Sequence, residues 1–228
     1  MKMLMPKRLM LKSISGFIFS LLVFWSIEGT TQDTLRTYGP RVGIDLVPLA
    51  SLFTSPKETG TEASIDFEVY QNLYSVAEFG YNNLSFDQEN FNYFSSGLYG
   101  RIGVDYNLLP VKDPSVHHSI FIGTRYGLSI FQHRAENIVT GNSYWGNYLL
   151  DKYQNDITGH WIELTGGVKT ELFSNFFMGW TVRYKFLISK VTDELMTPYL
   201  IHGYGKGNSN RSLGISYYIM YKIPVIKK

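Results

Sequence analysis

Along most of this chain apolar and polar residues alternate one for one, the period of strands whose two faces meet different surroundings. Between residues 97 and 108, Leu98, Gly100, Ile102, Val104, Tyr106 and Leu108 fall on one face and Tyr99, Arg101, Gly103, Asp105 and Asn107 on the other. The same split returns at 120–131, 161–172, 176–188 and 212–223, and in three earlier stretches at 41–46, 65–69 and 73–81. Helical 3.6-residue periodicity is scarce. The pattern predicts about eight strands, an even number, of about the 9 to 11 residues that cross a bilayer at a tilt.

The links between these stretches alternate in length. Those around Gln71-Asn72 and Ser174-Asn175 are tight turns and 110–118 is moderate, whereas 51–62, 83–95, 132–159 and 189–210 are longer. A barrel with one trimmed and one elaborated rim, both termini on the trimmed side, requires that alternation. The predicted fold is therefore all-β: an eight-stranded antiparallel up-and-down transmembrane β-barrel with long extracellular loops and short periplasmic turns.

Energetics then orient the faces. A charge on a barrel's outer face at the bilayer midplane costs roughly 2 to 4 kcal/mol, so the apolar face must point out. Facing inward are Arg41, Arg101, Arg125, Lys169, Arg183, Lys185 and Lys222, opposed by Asp45, Asp66, Glu68, Glu78, Asp105, Glu163 and Glu171. Equal numbers of opposite charges suit a closed interior in which each finds a partner. Eight strands leave room only for side chains, which excludes an open porin. The inverted arrangement, a soluble periplasmic ligand-binding barrel of lipocalin type with its charges in water, fits neither the strict alternation of link lengths nor the charge balance.

Ahead of the first strand stand Lys2, Lys7, Arg8 and Lys12, an uncharged apolar run at 14–27 and then Glu28-Gly29-Thr30-Thr31. Basic, apolar and small-residue segments in that order predict a cleaved secretory signal over residues 1–31, leaving residues 32–228 as the barrel domain. The run is shorter than the roughly 20 residues of a membrane-spanning helix. The leader holds four of the 21 Lys and Arg and one of the 19 Asp and Glu, leaving 17 basic against 18 acidic residues. Nucleic-acid binding loses its electrostatic basis. With no cysteine, neither a lipoprotein anchor nor a disulfide can form. A chain 44% hydrophobic and 18% charged is not disordered.

Candidate chemistry is sparse. Gly203-Tyr204-Gly205-Lys206-Gly207 lacks the Ser or Thr after the lysine and the glycine five positions before it, so it reads as a surface loop. His117-His118 lacks further metal ligands. His133, His160 and His202 near the long loops, with Ser129, Ser143 or Ser189, are the candidates for a lipid acyl hydrolase or acyltransferase, but no nucleophile motif frames them. No catalytic, metal or cofactor residues are therefore assigned. Tyr144, Trp145, Tyr148, Tyr153, Tyr199 and Tyr204 supply an aromatic surface suited to a protein partner. Expected partners are outer-membrane lipid, the barrel-assembly machinery during insertion and a protein bound at the loops.

Gly43-Ile44-Asp45-Leu46, His202-Gly203-Tyr204-Gly205-Lys206 and Tyr218-Ile219-Met220-Tyr221-Lys222-Ile223-Pro224 together resemble a family of outer-membrane barrels of the Bacteroidetes group, known as a domain of unknown function. The resemblance implies an outer-membrane location in a Gram-negative bacterium and no assigned activity, so no functional residue carries over. Commoner barrels end on an aromatic residue, whereas this chain adds Pro224-Val225-Ile226-Lys227-Lys228.

Overall fold

The structure, a computed structural model, describes residues 37–54, 57–109, 118–142, 146–189 and 196–227. The expected leader, residues 1–31, lies outside them. In chain order the elements are β1 (Thr37–Tyr38), β2 (Arg41–Asp45), α1 (Leu46–Thr54), β3 (Glu58–Tyr70), β4 (Leu73–Gln88), β5 (Phe91–Asn107) and β6 (Ser119–Asn142). There follow β7 (Gly146–Phe173), β8 (Phe176–Leu187), β9 (Leu200–Ile201), β10 (Gly205–Lys206), β11 (Arg211–Lys222) and β12 (Ile226–Lys227). Strands β2 to β8 and β11 close an antiparallel up-and-down barrel of eight strands, each neighbouring the next in sequence.

Side chains sort as the alternation predicts. Ile44, Phe79, Leu98, Ile102, Ile122, Ile130, Leu164 and Ile215 point outward and are exposed, while Asp66, Arg101, Asp105, Glu163 and Arg183 point inward and are almost wholly buried. Exposing this many large aliphatic residues is untenable in water and natural in lipid. The inverted, lipocalin-like arrangement is not adopted.

Two of the four long links prove to be strand. The predicted loop at 83–95 shrinks to a turn at Glu89-Asn90, and the one at 132–159 is a hairpin of 24 and 28 residues, β6 and β7. Beyond Ile130 the outward positions of β6 become Gln132, Arg134 and Glu136, so apolar alternation stops although pairing continues. The polar outer face marks the edge of the apolar belt, not the end of the strand.

The two tight turns are built alike. Asn72 and Asn175 both adopt left-handed backbone, at φ 64° and 65°, a conformation asparagine tolerates better than most residues. Each follows a register shift. In each, a glutamate four residues earlier accepts the asparagine N–H: Glu68 at 3.1 Å and Glu171 at 2.6 Å. These two carboxylates are half-buried at the turn rim.

The seam between first and last barrel strands is short. β2 pairs with β11 from Arg41↔Lys222 to Asp45↔Tyr218 and then becomes helical. Asp45 caps α1 by accepting the Val47 N–H at 2.9 Å, and Pro48, which has no N–H to donate, sits in the first turn where that loss is harmless. Helix α1 packs against β3 and β11, standing where β2 would have continued. Within the tail from Pro224 onward, which departs from the commoner barrel ending, Ile226–Lys227 form β12, paired with β1 through Thr37↔Lys227 and Tyr38↔Ile226.

Candidate functional site: the lumen and its mouth

Ten charged side chains contributed by β2 to β8 make one connected network inside the barrel. At its lower end Arg41 Nε lies 2.5 Å from Asp66 Oδ1, whose other oxygen takes Lys169 Nζ at 2.7 Å; Lys169 also reaches Asp105 at 3.2 Å. Asp105 accepts from Arg125 Nη2 at 2.7 Å, and Arg125 Nε lies 3.7 Å from Glu78. Glu78 in turn receives both terminal nitrogens of Arg183, at 2.9 and 3.0 Å. Arg183 also donates to Glu163 at 3.0 Å and to Ser216 Oγ at 3.0 Å. Arg101 contacts Glu78 at 2.9 Å, Glu163 at 3.5 Å and Glu62. Five cations thus meet five carboxylates.

Burial makes the pairing obligatory, because a buried charge without a partner is far costlier than a solvated one. The fork of Arg183 meets two carboxylates from different strands, which a lysine could not do. Tyrosine and tryptophan fill remaining acceptor positions: Tyr99 OH donates to Glu62 at 2.7 Å, Trp161 Nε1 to Glu163 at 2.7 Å, and Tyr218 OH to Glu62. Trp161 lies across Gly127 on the neighbouring strand, where a Cβ would sit 2.2 Å from the ring, so the glycine makes the room.

Above the network the mouth is closed by the chain itself. Residues 196–210 fold inward, burying Ile201 and Tyr204 with Tyr99, Phe131 and Trp161 in one apolar cluster. His202 Nε2 lies 2.9 Å from Ser95 Oγ, Lys185 Nζ donates to the Gly203 carbonyl at 2.6 Å, and Tyr199 N–H donates to Tyr93 OH at 3.2 Å. Burial pushes the His202 imidazole down to about 4 from its ordinary 6.5, keeping it neutral.

Each predicted position can now be placed. Of the fourteen predicted inward charges, nine join the network. Asp45 instead accepts backbone N–H groups from Val47 and Tyr217, each at 2.9 Å. Lys185 meets Gly203, and Lys222 lies 5.4 Å from the Phe177 ring centre. Glu68 and Glu171 serve the tight turns. The tenth network member, Glu62, was placed in a loop by the sequence pattern because its outward neighbours Thr61 and Ala63 show no apolar alternation.

Tyr204 requires correction. It is not a surface residue but is 1% exposed, packed against Trp161 with ring centres 5.9 Å apart. The Gly203–Gly207 segment is likewise no free surface loop, since its first half docks in the mouth. Tyr199 is exposed beside Phe86, and Tyr153 is half-buried with its ring on His133. Tyr144 and Trp145 lie outside the described residues, as does the side chain of Tyr148.

The catalytic candidates do not assemble. His133 is buried beside Tyr93; His160 points outward to Tyr126 OH, 3.0 Å from Nδ1; Ser189 accepts the His160 N–H at 3.0 Å; Ser129 donates to the Leu98 carbonyl at 3.4 Å. Ser143 and His117 lie outside the described residues, and His118 is exposed. His202 meets Ser95, which the sequence did not single out. That pair is buried, and among the described residues its Nδ1 has no hydrogen-bond partner and no acid orients the imidazole. No group of three metal-ligating side chains occurs among the described residues.

Eight closed strands, an apolar outside and a charge-filled interior define a small β-barrel of the outer-membrane type. By sequence the chain belongs to the family described as Domain of unknown function (DUF6048), matched over residues 10–228. No curated protein sequence matches it. Among solved structures it is similar to Ail, the attachment invasion locus protein of Yersinia pestis, at 8% identity and TM-score 0.43, covering 81% of this chain and 98% of that one. It is similar also to Neisserial surface protein A, at 11% identity and TM-score 0.38, covering 81% and 94%. The N-terminal β-barrel domain of Pseudomonas aeruginosa OprF matches at 10% identity and TM-score 0.36, covering 82% and 98%. Similarities of this size carry no functional information.

Proposed function

We propose that the protein is a non-conducting outer-membrane barrel with a structural, accessory or partner-binding role, exported by a signal cleaved near residue 31 in a Gram-negative bacterium of the Bacteroidetes group. The observation that carries this reading is the inverted polarity of the barrel: aliphatic residues outside, neutralised charges inside. On this reading the charge network is structural. It occupies the lumen across seven strands, while residues 196–210 fold over the mouth, and eight strands enclose little more than their own side chains. The partner surface is the part of the elaborated rim that stays outside that closure, the β6–β7 hairpin with Tyr153 and the exposed Tyr199.

Two measurements test this. Extraction from outer-membrane fractions should require detergent and yield a heat-modifiable band, and planar-bilayer recording should show no steady current. Recovery in the soluble periplasmic fraction, or large stable conductance steps, would overturn the reading. Deleting 135–157 should abolish capture of the partner while leaving heat-modifiable migration intact.

A further inference from the structure

The wall of the barrel is not strand against strand over its full height. Where β2 ends, β11 loses its neighbour above Tyr218 and β3 loses its own above Ala63. The Tyr217 N–H, the first beyond the seam, is taken by Asp45. Backbone groups of Ile215 and Leu213 alternate with it by twos and face the same edge. Helix α1 covers this edge only in part, and beside it lies a cavity of about 210 Å³.

The lining of that cavity comes from both sides of the wall. Val47, Leu213 and Ile215, all exposed on the apolar exterior, form its lip, while its charged residues are Asp45, Glu58 and Lys185 together with Glu62, Arg101 and Arg183, which are already paired in the network. Room is made by small inward positions on β11: a Cβ added to Gly214 would first meet the flexible end of Lys185, at 3.1 and 3.2 Å. Lys185 is buried and, among the described residues, has no carboxylate within 4 Å; its ammonium donates only to the Gly203 carbonyl. Asp45 accepts backbone N–H groups and, among the described residues, no cation lies within 4 Å of it or of Glu58. The opening therefore offers, behind an apolar lip, an ammonium and two carboxylates that form no ion pair among the described residues.

We propose that this opening binds the zwitterionic headgroup of a membrane phospholipid, its phosphate toward Lys185, its ammonium toward Asp45 and Glu58, and its acyl chains along Val47, Leu213 and Ile215. The proposal rests on the reading that the apolar exterior faces lipid. A purely anionic headgroup would meet two unpaired carboxylates, and a purely cationic one would meet Lys185.

Native mass spectrometry of the full barrel in detergent, titrated with phosphatidylethanolamine or phosphatidylglycerol, tests it. One phosphatidylethanolamine should be retained per barrel, with phosphatidylglycerol held about tenfold more weakly, the size expected for one lost charge-assisted contact. Lys185→Met and Asp45→Asn should each lower retention about tenfold, the asparagine preserving the helix cap. Gly214→Leu should fill the cavity and abolish retention while heat-modifiable migration persists. Equal retention of both lipids, or full retention by Gly214→Leu, overturns the site alone. A dimer in place of the lipid-bound monomer assigns the free edge to a second copy and also overturns it. A barrel that needs no detergent overturns the lipid-facing reading and the site with it.

Discussion

The lower lumen and the mouth are both filled by side chains, yet they are closed by different physics. Below, ten charges on seven strands neutralise one another; above, one loop folds in and packs apolar rings around a neutral histidine. The lower half holds together only if every member is present, since each carboxylate serves two or more cations. The mouth depends on about fifteen consecutive residues that could leave as a unit. A charged interior thus couples strands far apart in sequence, whereas a docked loop adds a cover that the barrel beneath it does not need.

The sharpest way to break that contrast is at Arg183. Arg183→Met strips partners from Glu78 and Glu163 at once and should cost about 3 to 5 kcal/mol, read as a lower unfolding midpoint in detergent. A change below 1 kcal/mol would mean that water enters the lumen and solvates the acids. Next comes Gly203→Val. Gly203 has φ 78°, and a Cβ there would meet the Tyr99 ring at 2.5 Å. The expected loss is about 2 to 3 kcal/mol, confined to the mouth. Limited proteolysis should cut residues 196–210 while heat-modifiable migration persists. Unfolding of the whole barrel instead would show that the two regions are one cooperative unit.

Acid should distinguish the halves more gently. His202 titrates near 4 when docked and near 6.5 when free, so the undocked loop binds the proton more readily. Its contribution to docking is complete above about pH 6.5 and fades as pH falls toward 4. Protection factors of residues 196–210, taken relative to the intrinsic exchange rate at each pH, should therefore fall between pH 7.5 and 4.5 in the wild type. In His202→Gln that fall should disappear; its persistence would assign the effect to another group. The smallest expected effect lies in the turns: Asn72→Ala places alanine in left-handed backbone and should cost about 1 kcal/mol by thermal melting, with Asn72→Gly nearly neutral.

Strand identity and facing were legible in the sequence wherever the two sides of the wall meet unlike surroundings, as at 97–108 and 120–131. Past Ile130 both faces of the hairpin carry polar residues, so 132–159 read as loop although its described backbone stays paired on both sides of Asn137. Glu62 was lost for the same reason, lying between Thr61 and Ala63. The mouth was illegible for another: a loop that docks and a loop in water share a composition. Tyr204 is buried by Trp161, and His202 by Ser95, 107 residues away, contacts that no local pattern encodes.

The five-residue β2 carries a kinetic consequence. Every other barrel seam joins consecutive strands of the barrel, so hairpins can zip outward from the links between them. The β2–β11 seam must bring together residues 173 to 181 positions apart, from Asp45↔Tyr218 to Arg41↔Lys222, with five registered pairs and the small β1–β12 clasp to hold them. Loop-closure entropy falls almost wholly on this joint, so the curled sheet is expected to form early and circularisation to come last. Stopped-flow refolding into detergent would then show a slow phase that Thr37→Pro lengthens and that substitutions in the hairpin turns leave alone.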